Sequence, residues 1–482
     1  MLFNSYQFIV FFAMTTAAVY AISPKLRWVV LLLASCYFYM VFVPKYILIL
    51  FAVILIDYVA ALMIENASGG KRRSLLITSL CANIGILAYF KYANFAQAEV
   101  LGMFSWFGLS IQASPLDILL PIGLSFHTFQ SMSYTIEVYR GAQKAERHLG
   151  IYALYVLFYP QMVAGPIERP QNILPQLHAP PAFCSKNLID GLQLMIWGLF
   201  KKMVIADNLA LIVNPAYNNP EAHHGWPLVI ATYAFAIQIF CDFSGYSDIA
   251  RGAAQTMGYK LMVNFNIPYH SKSIAEFWGR WHISLSTWFR DYMYIPLGGN
   301  RHGKWRQYFN IFAVFLVSGL WHGPSWAFVA WGAIHGSYLV IGDATSILRQ
   351  KLWERIGMGN KGWLRSAVAV LITFHLVVIS WVPFRAGSLA ETRRVFSQMF
   401  SFSSLRDSPV TPFLPLDDFA RVGLMVSLIL MAIIHLLHRR YGLRNITLMM
   451  PRPLHAGLVA GAILLIFLWG RFDSKDFIYF QF

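Results

Sequence analysis

Apolar runs long enough to cross a bilayer recur along the chain from its first residues to its last, and this recurrence constrains the fold more than any other feature. Of the 482 residues, 57% are hydrophobic and only 12% are charged, whereas a soluble domain carries about 25% charged residues. Too few charges remain to clothe a water-facing surface. The expected class is an all-α polytopic membrane protein forming a single membrane-embedded domain over residues 1–482, not a soluble domain with an anchor. The opening stretch MLFNSYQFIVFFAMTTAAVYAIS lacks the basic start of a signal peptide, so it reads as a retained first transmembrane helix.

The expected spans cover residues 6–22, 26–43, 46–64, 74–92, 116–134, 148–164, 191–213 (interrupted by Lys201 and Lys202) and 226–241. Two more fall within 310–341, and 367–383, 420–437 and 454–469 complete a set of about a dozen. Basic residues fix the orientation, because Lys and Arg collect in cytoplasmic loops. Lys25 and Arg27 follow the first span, Lys71, Arg72 and Arg73 the third, and Arg140, Lys144 and Arg147 the fifth. Arg349, Lys351, Arg355, Lys361 and Arg365 agree, as do Arg439, Arg440 and Arg444 two passes later. Both termini are then expected outside the cytoplasm.

The same rule accounts for the net charge of +16. Its basic residues stand in short clusters between apolar runs, and no basic-aromatic module of a nucleic-acid binder is visible. Cys36, Cys81, Cys184 and Cys241 show neither disulfide nor metal spacing, and no metal site is expected. Motifs of soluble hydrolases, nucleotide-driven pumps, zinc proteases and dinucleotide binders are missing from the sequence.

Residues 251–306 are rich in Lys, Arg, Trp and Tyr and contain no clean span. Within them Ile274, Phe277, Trp278, Trp281, Leu285, Trp288, Phe289 and Tyr292 recur at helical spacing, with Glu276, Arg280, Thr287 and Arg290 on the other side. The pattern predicts an amphipathic helix, lying along the cytoplasmic interface or packed into a funnel there.

An ionisable residue inside a membrane segment is costly and marks function by default. His322, in Ser318-Gly319-Leu320-Trp321-His322-Gly323-Pro324-Ser325, follows an apolar run starting at Asn310. That run climbs about 18 Å at helical rise before reaching His322, against a hydrocarbon core of about 30 Å. The histidine is thus expected at mid-bilayer, where Gly323 and Pro324 break the helix, and such breaks occur where backbone lines a cavity or is buried in protein. A neutral imidazole there suits a general base on an incoming hydroxyl; the rival reading is a histidine that only bonds a neighbouring helix. His282, in Arg-Trp-His-Ile-Ser-Leu-Ser, reads either as its partner, positioning or polarising a reacting carbonyl, or as an interfacial histidine. Residues 241–248 (CDFSGYSD) line the same cavity or form a helix-capping turn. Residues 165–170 (GPIERP) form a rigid charged turn, and His127 and Gln130 are expected to knit helices together. His375, His435 and His455 read as structural, and His223-His224 lacks further metal ligands.

Several of these segments together resemble the membrane-bound O-acyltransferase family, in particular its bacterial polysaccharide-modifying branch. They are GPIERP at 165–170, GLFKKMVIADN at 198–208, FSGYSDIA at 243–250, NFNIPYHSKSIAEFWGRWHISLSTWFRDYMYIPLGGN at 264–300, and GLWHG at 319–323. The paired RWHISLS and GLWHG segments are specific together. Two departures are Gly279, where a second arginine before Arg-Trp-His is common, and His127, where an aromatic is usual. The resemblance implies helices ringing a central funnel, His322 at the family's catalytic histidine, and His282 at its second active-site position. It further implies transfer of an acetyl group from a cytoplasmic donor to an exported polysaccharide, alginate first among them, at a bacterial inner membrane with periplasmic partner proteins. Acetyl-coenzyme A or another acyl thioester would be a donor substrate rather than a resident cofactor. Lys201, Lys202, Arg280 and Arg290 are candidate contacts for it by charge and expected side. Rival acceptors are cellulose, peptidoglycan and, with D-alanine as the group moved, teichoic acid. Rival classes are a transporter, which would show paired broken helices in related halves, and a non-catalytic secretion scaffold.

Overall fold

The computed structural model describes every residue except 112, 163–164, 356, 358–361, 401–415, 442–450, 473–476 and 479–482. Among the described residues the regular structure is helical, with no strand. Bilayer interiors leave no water for orphaned amides, so a chain this apolar satisfies its backbone within helices. Five helices are long and apolar enough to cross a membrane by length and composition: Pro44–Asn66, Gly69–Trp106, Trp226–Thr256, Gly362–Ala386 and Asp418–Tyr441. Lys361 and Arg444, used in the orientation argument, lie outside the described residues.

The chain divides into two compact units. The first comprises Met1–Met195 and Ile249–Met262. It contains α1 (Tyr6–Ala21), α2 (Arg27–Met40), α3 (Ile47–Asn66), α4 (Gly69–Trp106), α5 (Leu124–Arg140), α6 (Leu149–Leu157) and α7 (Pro170–His178), with most of α8 (Ser185–Leu199). Ser5 caps α1, its Oγ accepting from Phe8 N at 3.2 Å. His127 and Gln130 do tie helices together: His127 Nδ1 lies 3.0 Å from Val156 O, and Gln130 Nε2 donates to Tyr155 O at 2.5 Å. Where a span over 148–164 is expected, α6 has nine residues, about 14 Å of helix. In the turn at 165–170, Glu168 is buried, accepting from Met262 N and Asn172 Nδ2, both at 2.5 Å. Burial pushes its carboxyl up to about 7.

The second unit comprises Ile196–Asp248 and Val263–Phe482. A π-helical stretch, Phe200–Ala206, continues from α8 into α9 (Asp207–Asn218), followed by α10 (Trp226–Thr256). Then come α11 (Ile274–Trp278), α12 (Ile283–Phe289), α13 (Gly303–His322), α14 (Trp326–Ala344) and α15 (Ser346–Arg355). The last are α16 (Gly362–Ala386), α17 (Leu389–Phe400), α18 (Asp418–Tyr441) and α19 (Arg452–Trp469).

The apolar run expected to be interrupted by Lys201 and Lys202 passes through them as a π-helical stretch, with carboxylates beside both ammonium groups. Two local expectations are corrected in this unit. Residues 241–248 are not a capping turn but lie inside α10, their Ser and Asp side chains serving those lysines. The aromatic face at 274–292 is not one helix, because the chain turns between α11 and α12 with His282 in the left-handed region (φ 43°). Its aromatic side chains face protein: Phe277, Trp278, Trp281 and Trp288 are buried.

Where two passes are expected after Asn310 the structure has the helices α13 and α14, which pack tightly against each other. Glycines make this approach possible, as small residues do between membrane helices. A Cβ on Gly319 would lie 2.3 Å from Phe328 O, and one on Gly332 2.2 Å from Phe315 O.

Candidate active site

His322 is the last residue of α13, and Gly323 leaves the helix in an extended conformation. A side chain at 323 would strike the Phe328 ring, 2.2 Å from its Cβ, so only glycine lets the chain turn there. Ser325 then starts α14, its Oγ accepting from Ala327 N at 3.2 Å and donating to Gly387 O at 2.5 Å. The His322 side chain, 7% exposed, sits among ring edges: Trp321 at 4.9 Å, Trp331 at 4.9 Å and Phe384 at 5.1 Å between centroids.

His282 is fully buried, and its position follows from one amide. Asn264 Oδ1 accepts from Ser284 N (3.2 Å) and Ser284 Oγ (2.9 Å), which fixes the amide's orientation. The same oxygen lies 3.1 Å from His282 Nδ1, so that nitrogen must carry the hydrogen and Nε2 the lone pair. Ile283 N donates to Asn264 O at 2.9 Å and holds the left-handed turn that presents the ring. Burial keeps the His282 imidazole well below the usual histidine range, so it is neutral. A neutral ring with this tautomer accepts a hydrogen bond at Nε2 and does not donate one to a carbonyl. Trp321 links the two histidines, its ring 6.5 Å from His282 and 4.9 Å from His322.

A cavity of about 360 Å³ opens between the α11–α12 region and the α13–α14 hairpin, with a mostly apolar wall. Trp278, Leu285, Phe289, Arg290, Phe315 and Ser318 are among its lining residues. Ser318 is one helical turn, about 6 Å along the axis, before His322 on the same helix. The volume falls within the range of small-molecule sites.

The four candidate donor contacts separate. Arg290 lines the cavity with its side chain exposed, next to Asp291 at 2.8 Å. Arg280 pairs with Glu276 at 2.8 Å and is not part of the cavity wall. Lys201 and Lys202 are buried: Lys201 Nζ meets Asp248 Oδ2 at 2.7 Å and Ser244 Oγ at 2.8 Å, while Lys202 Nζ meets Asp207 at 2.7 Å and Asp242 at 2.8 Å. Gly245 permits this: a Cβ there would lie 2.8 Å from Gly198 O.

Two residues near the site carry no sequence signal of their own. Asn264 is one amide in a polar loop until its three donors are seen. His335, fully buried, accepts from Trp278 Nε1 at 3.3 Å, so its other ring nitrogen donates to Ser380 Oγ at 2.9 Å. Its ring lies 4.9 Å from that of Trp331, which also packs on His322. Lone histidines in apolar helices do not announce such bonds.

If Asn264 sets the His282 tautomer, Asn264→Ala is expected to reduce transfer by up to about 10-fold, the equivalent of the roughly 0.5–1.5 kcal/mol of one hydrogen bond. Asn264→Asp keeps an acceptor and should retain much more activity. Equal activity in Asn264→Ala and the wild type, measured at matched membrane abundance, would exclude this positioning.

A histidine at a helix break, a second held in one tautomer, and a ligand-sized cavity whose wall reaches Ser318 one turn away are compatible with group transfer inside a membrane protein. The chain belongs to the membrane-bound O-acyltransferase family, whose model matches residues 146–382. It is 37% identical over 452 residues to a probable alginate O-acetylase from Pseudomonas aeruginosa, covering 92% of this chain and 82% of that protein. A peptidoglycan O-acetyltransferase from Helicobacter pylori is 33% identical over 425 residues (83% of this chain, 78% of that protein). A teichoic acid D-alanyltransferase from Streptococcus thermophilus is 32% identical over 284 residues (55% and 68%). The protein is thus an enzyme, an O-acetyltransferase of the bacterial inner membrane embedded in lipid through several helices.

Proposed function

We propose that this enzyme carries an acetyl group from a cytoplasmic acyl thioester, acetyl-coenzyme A or a related donor, across the inner membrane for O-acetylation of exported alginate. About a dozen passes around a central funnel, with both termini periplasmic, would set the two substrates on opposite faces. In the transfer His322 takes the proton of the acceptor hydroxyl as its oxygen attacks the thioester carbonyl carbon. The carbon–sulfur bond breaks, and the proton held by His322 passes to the departing thiolate. His282 positions the acceptor by taking at Nε2 a hydrogen bond from a neighbouring hydroxyl of the same molecule, leaving the attacking hydroxyl's proton to His322. Arg290 attracts the anionic donor at the cavity mouth, with Arg280 adding to the local positive field. Periplasmic acetyltransferase or polysaccharide-modification proteins then complete delivery.

The observation that carries this reading is a cavity whose wall includes Ser318, one turn before a histidine at a helix break. The similarity to alginate O-acetylases over most of the chain supports alginate as acceptor. The peptidoglycan O-acetyltransferase relative, covered over 78% of its length, supports a second acceptor. Deleting the gene is expected to remove acetyl esters from exported alginate, and complementation to restore them, as read by ester content. Unchanged alginate esters with loss of peptidoglycan esters would move the assignment to that acceptor, and unchanged esters on both would refute transfer.

A further inference from the structure

His335 is a buried imidazole in the apolar α14 that the transfer chemistry does not use. Such a ring is costly inside a membrane protein unless its polar atoms are engaged. Here both nitrogens are. Ser380 Oγ, on α16, gives its hydrogen to Val377 O at 2.6 Å, so it accepts from His335 Nε2 at 2.9 Å. That leaves the lone pair on Nδ1, 3.3 Å from Trp278 Nε1, to accept from the indole.

This run of bonds ends in the wall of the cavity. Trp278 closes α11 and lines the cavity with Phe315, the two rings 5.2 Å apart. His335 packs on the indole at 5.1 Å and Trp331 at 5.7 Å, and Trp331 in turn packs on His322 at 4.9 Å. Among the wall residues Arg290 is exposed, whereas Trp278, Val314 and Ser318 are buried. An apolar wall does not by itself prefer two carbons to four, because each further methylene gains by leaving water. A cavity of about 360 Å³ has room for more than an acetyl group. Restriction to acetyl therefore needs a rigid surface where the acyl group ends.

We propose, on the reading that the donor's acyl group occupies this cavity, that Trp278 is that surface and sets the acyl length. His335 and Ser380 are positioning residues, which keep the indole from turning aside.

The test supplies propionate or butyrate, which cells activate to thioesters, to cells carrying each variant. Acyl esters are then measured on whichever polymer the wild type acetylates, at matched membrane abundance. Wild-type esters should be acetyl; wild-type esters that follow the acid supplied overturn the proposal. Trp278→Ala should raise the propionyl-to-acetyl ratio roughly 10- to 200-fold, the discrimination a pocket exerts per methylene, and admit butyryl groups. Trp278→Phe keeps a ring against Phe315 and should admit propionyl alone, so it decides the matter if the alanine variant does not fold. His335→Leu removes the indole's acceptor and should raise the ratio partway. His335→Gln keeps an acceptor and a donor and should hold the wild-type ratio, whereas a purely structural role would change abundance and not the ratio. Ile311→Trp, which fills the cavity from α13, should abolish all esters. Normal esters in that variant overturn the cavity reading and the proposal together. If Ile311→Trp stops transfer while both Trp278 variants make acetyl esters alone, the length limit is wrong and the cavity reading stands.

Discussion

Replacing His322 with alanine is expected to bring the acetyl ester content of the exported polysaccharide to background while the protein remains in the membrane. General acid–base catalysis by one positioned side chain contributes about 10²- to 10⁴-fold. A loss of that size takes a polysaccharide made over hours below ready detection. The protein should persist because the ring packs by its edges on Trp321, Trp331 and Phe384 at the end of a helix that approaches α14 closely at Gly319 and Gly332. His322→Gln separates polarity from basicity: the amide approximates the ring's hydrogen bonding but cannot accept the proton. If His322→Gln acetylates at the wild-type rate with matched abundance, His322 is not the base. If both variants vanish from the membrane, the ring holds the hairpin, and His322→Phe becomes the informative variant because it restores packing without basicity.

The break at His322 is legible in the sequence because its causes are local. An apolar run meets Gly-Pro, and the structure ends α13 at that residue. His282 is legible as a residue but not as a tautomer, since the group that fixes it, Asn264, is 18 positions away across a left-handed turn. Helical periodicity at 274–292 identifies the buried aromatic face but not the break within it, because the left-handed residue is a histidine rather than a glycine or asparagine. Hydropathy makes the membrane class plain, yet a window of residues measures composition and not burial. Asp57, hidden in an apolar run, becomes visible only when α4 supplies its partners.

Lys202→Met is expected to cost the enzyme its fold rather than its donor. Lys202 is 1% exposed and is the ammonium between Asp207 and Asp242, at 2.7 and 2.8 Å. Removing one partner of a buried ion pair costs about 3–5 kcal/mol, and here one substitution strips two carboxylates of that cation. Against a total stability of about 5–15 kcal/mol, the variant should be nearly absent from the membrane fraction. Asp242 also accepts from Ile478 N at 2.7 Å, so the damage should spread to the C-terminal segment. The remedy is to neutralise the acids: Lys202→Met with Asp207→Asn and Asp242→Asn leaves no buried charge in the trio and should recover abundance. A single variant that accumulates like the wild type would show that the trio does not hold the π-helical stretch. The triple variant then decides what charge alone left open in the sequence. If it is abundant and acetylates, Lys202 is structural; if it is abundant and inactive, with the KM for the thioester raised, Lys202 reaches the donor after all.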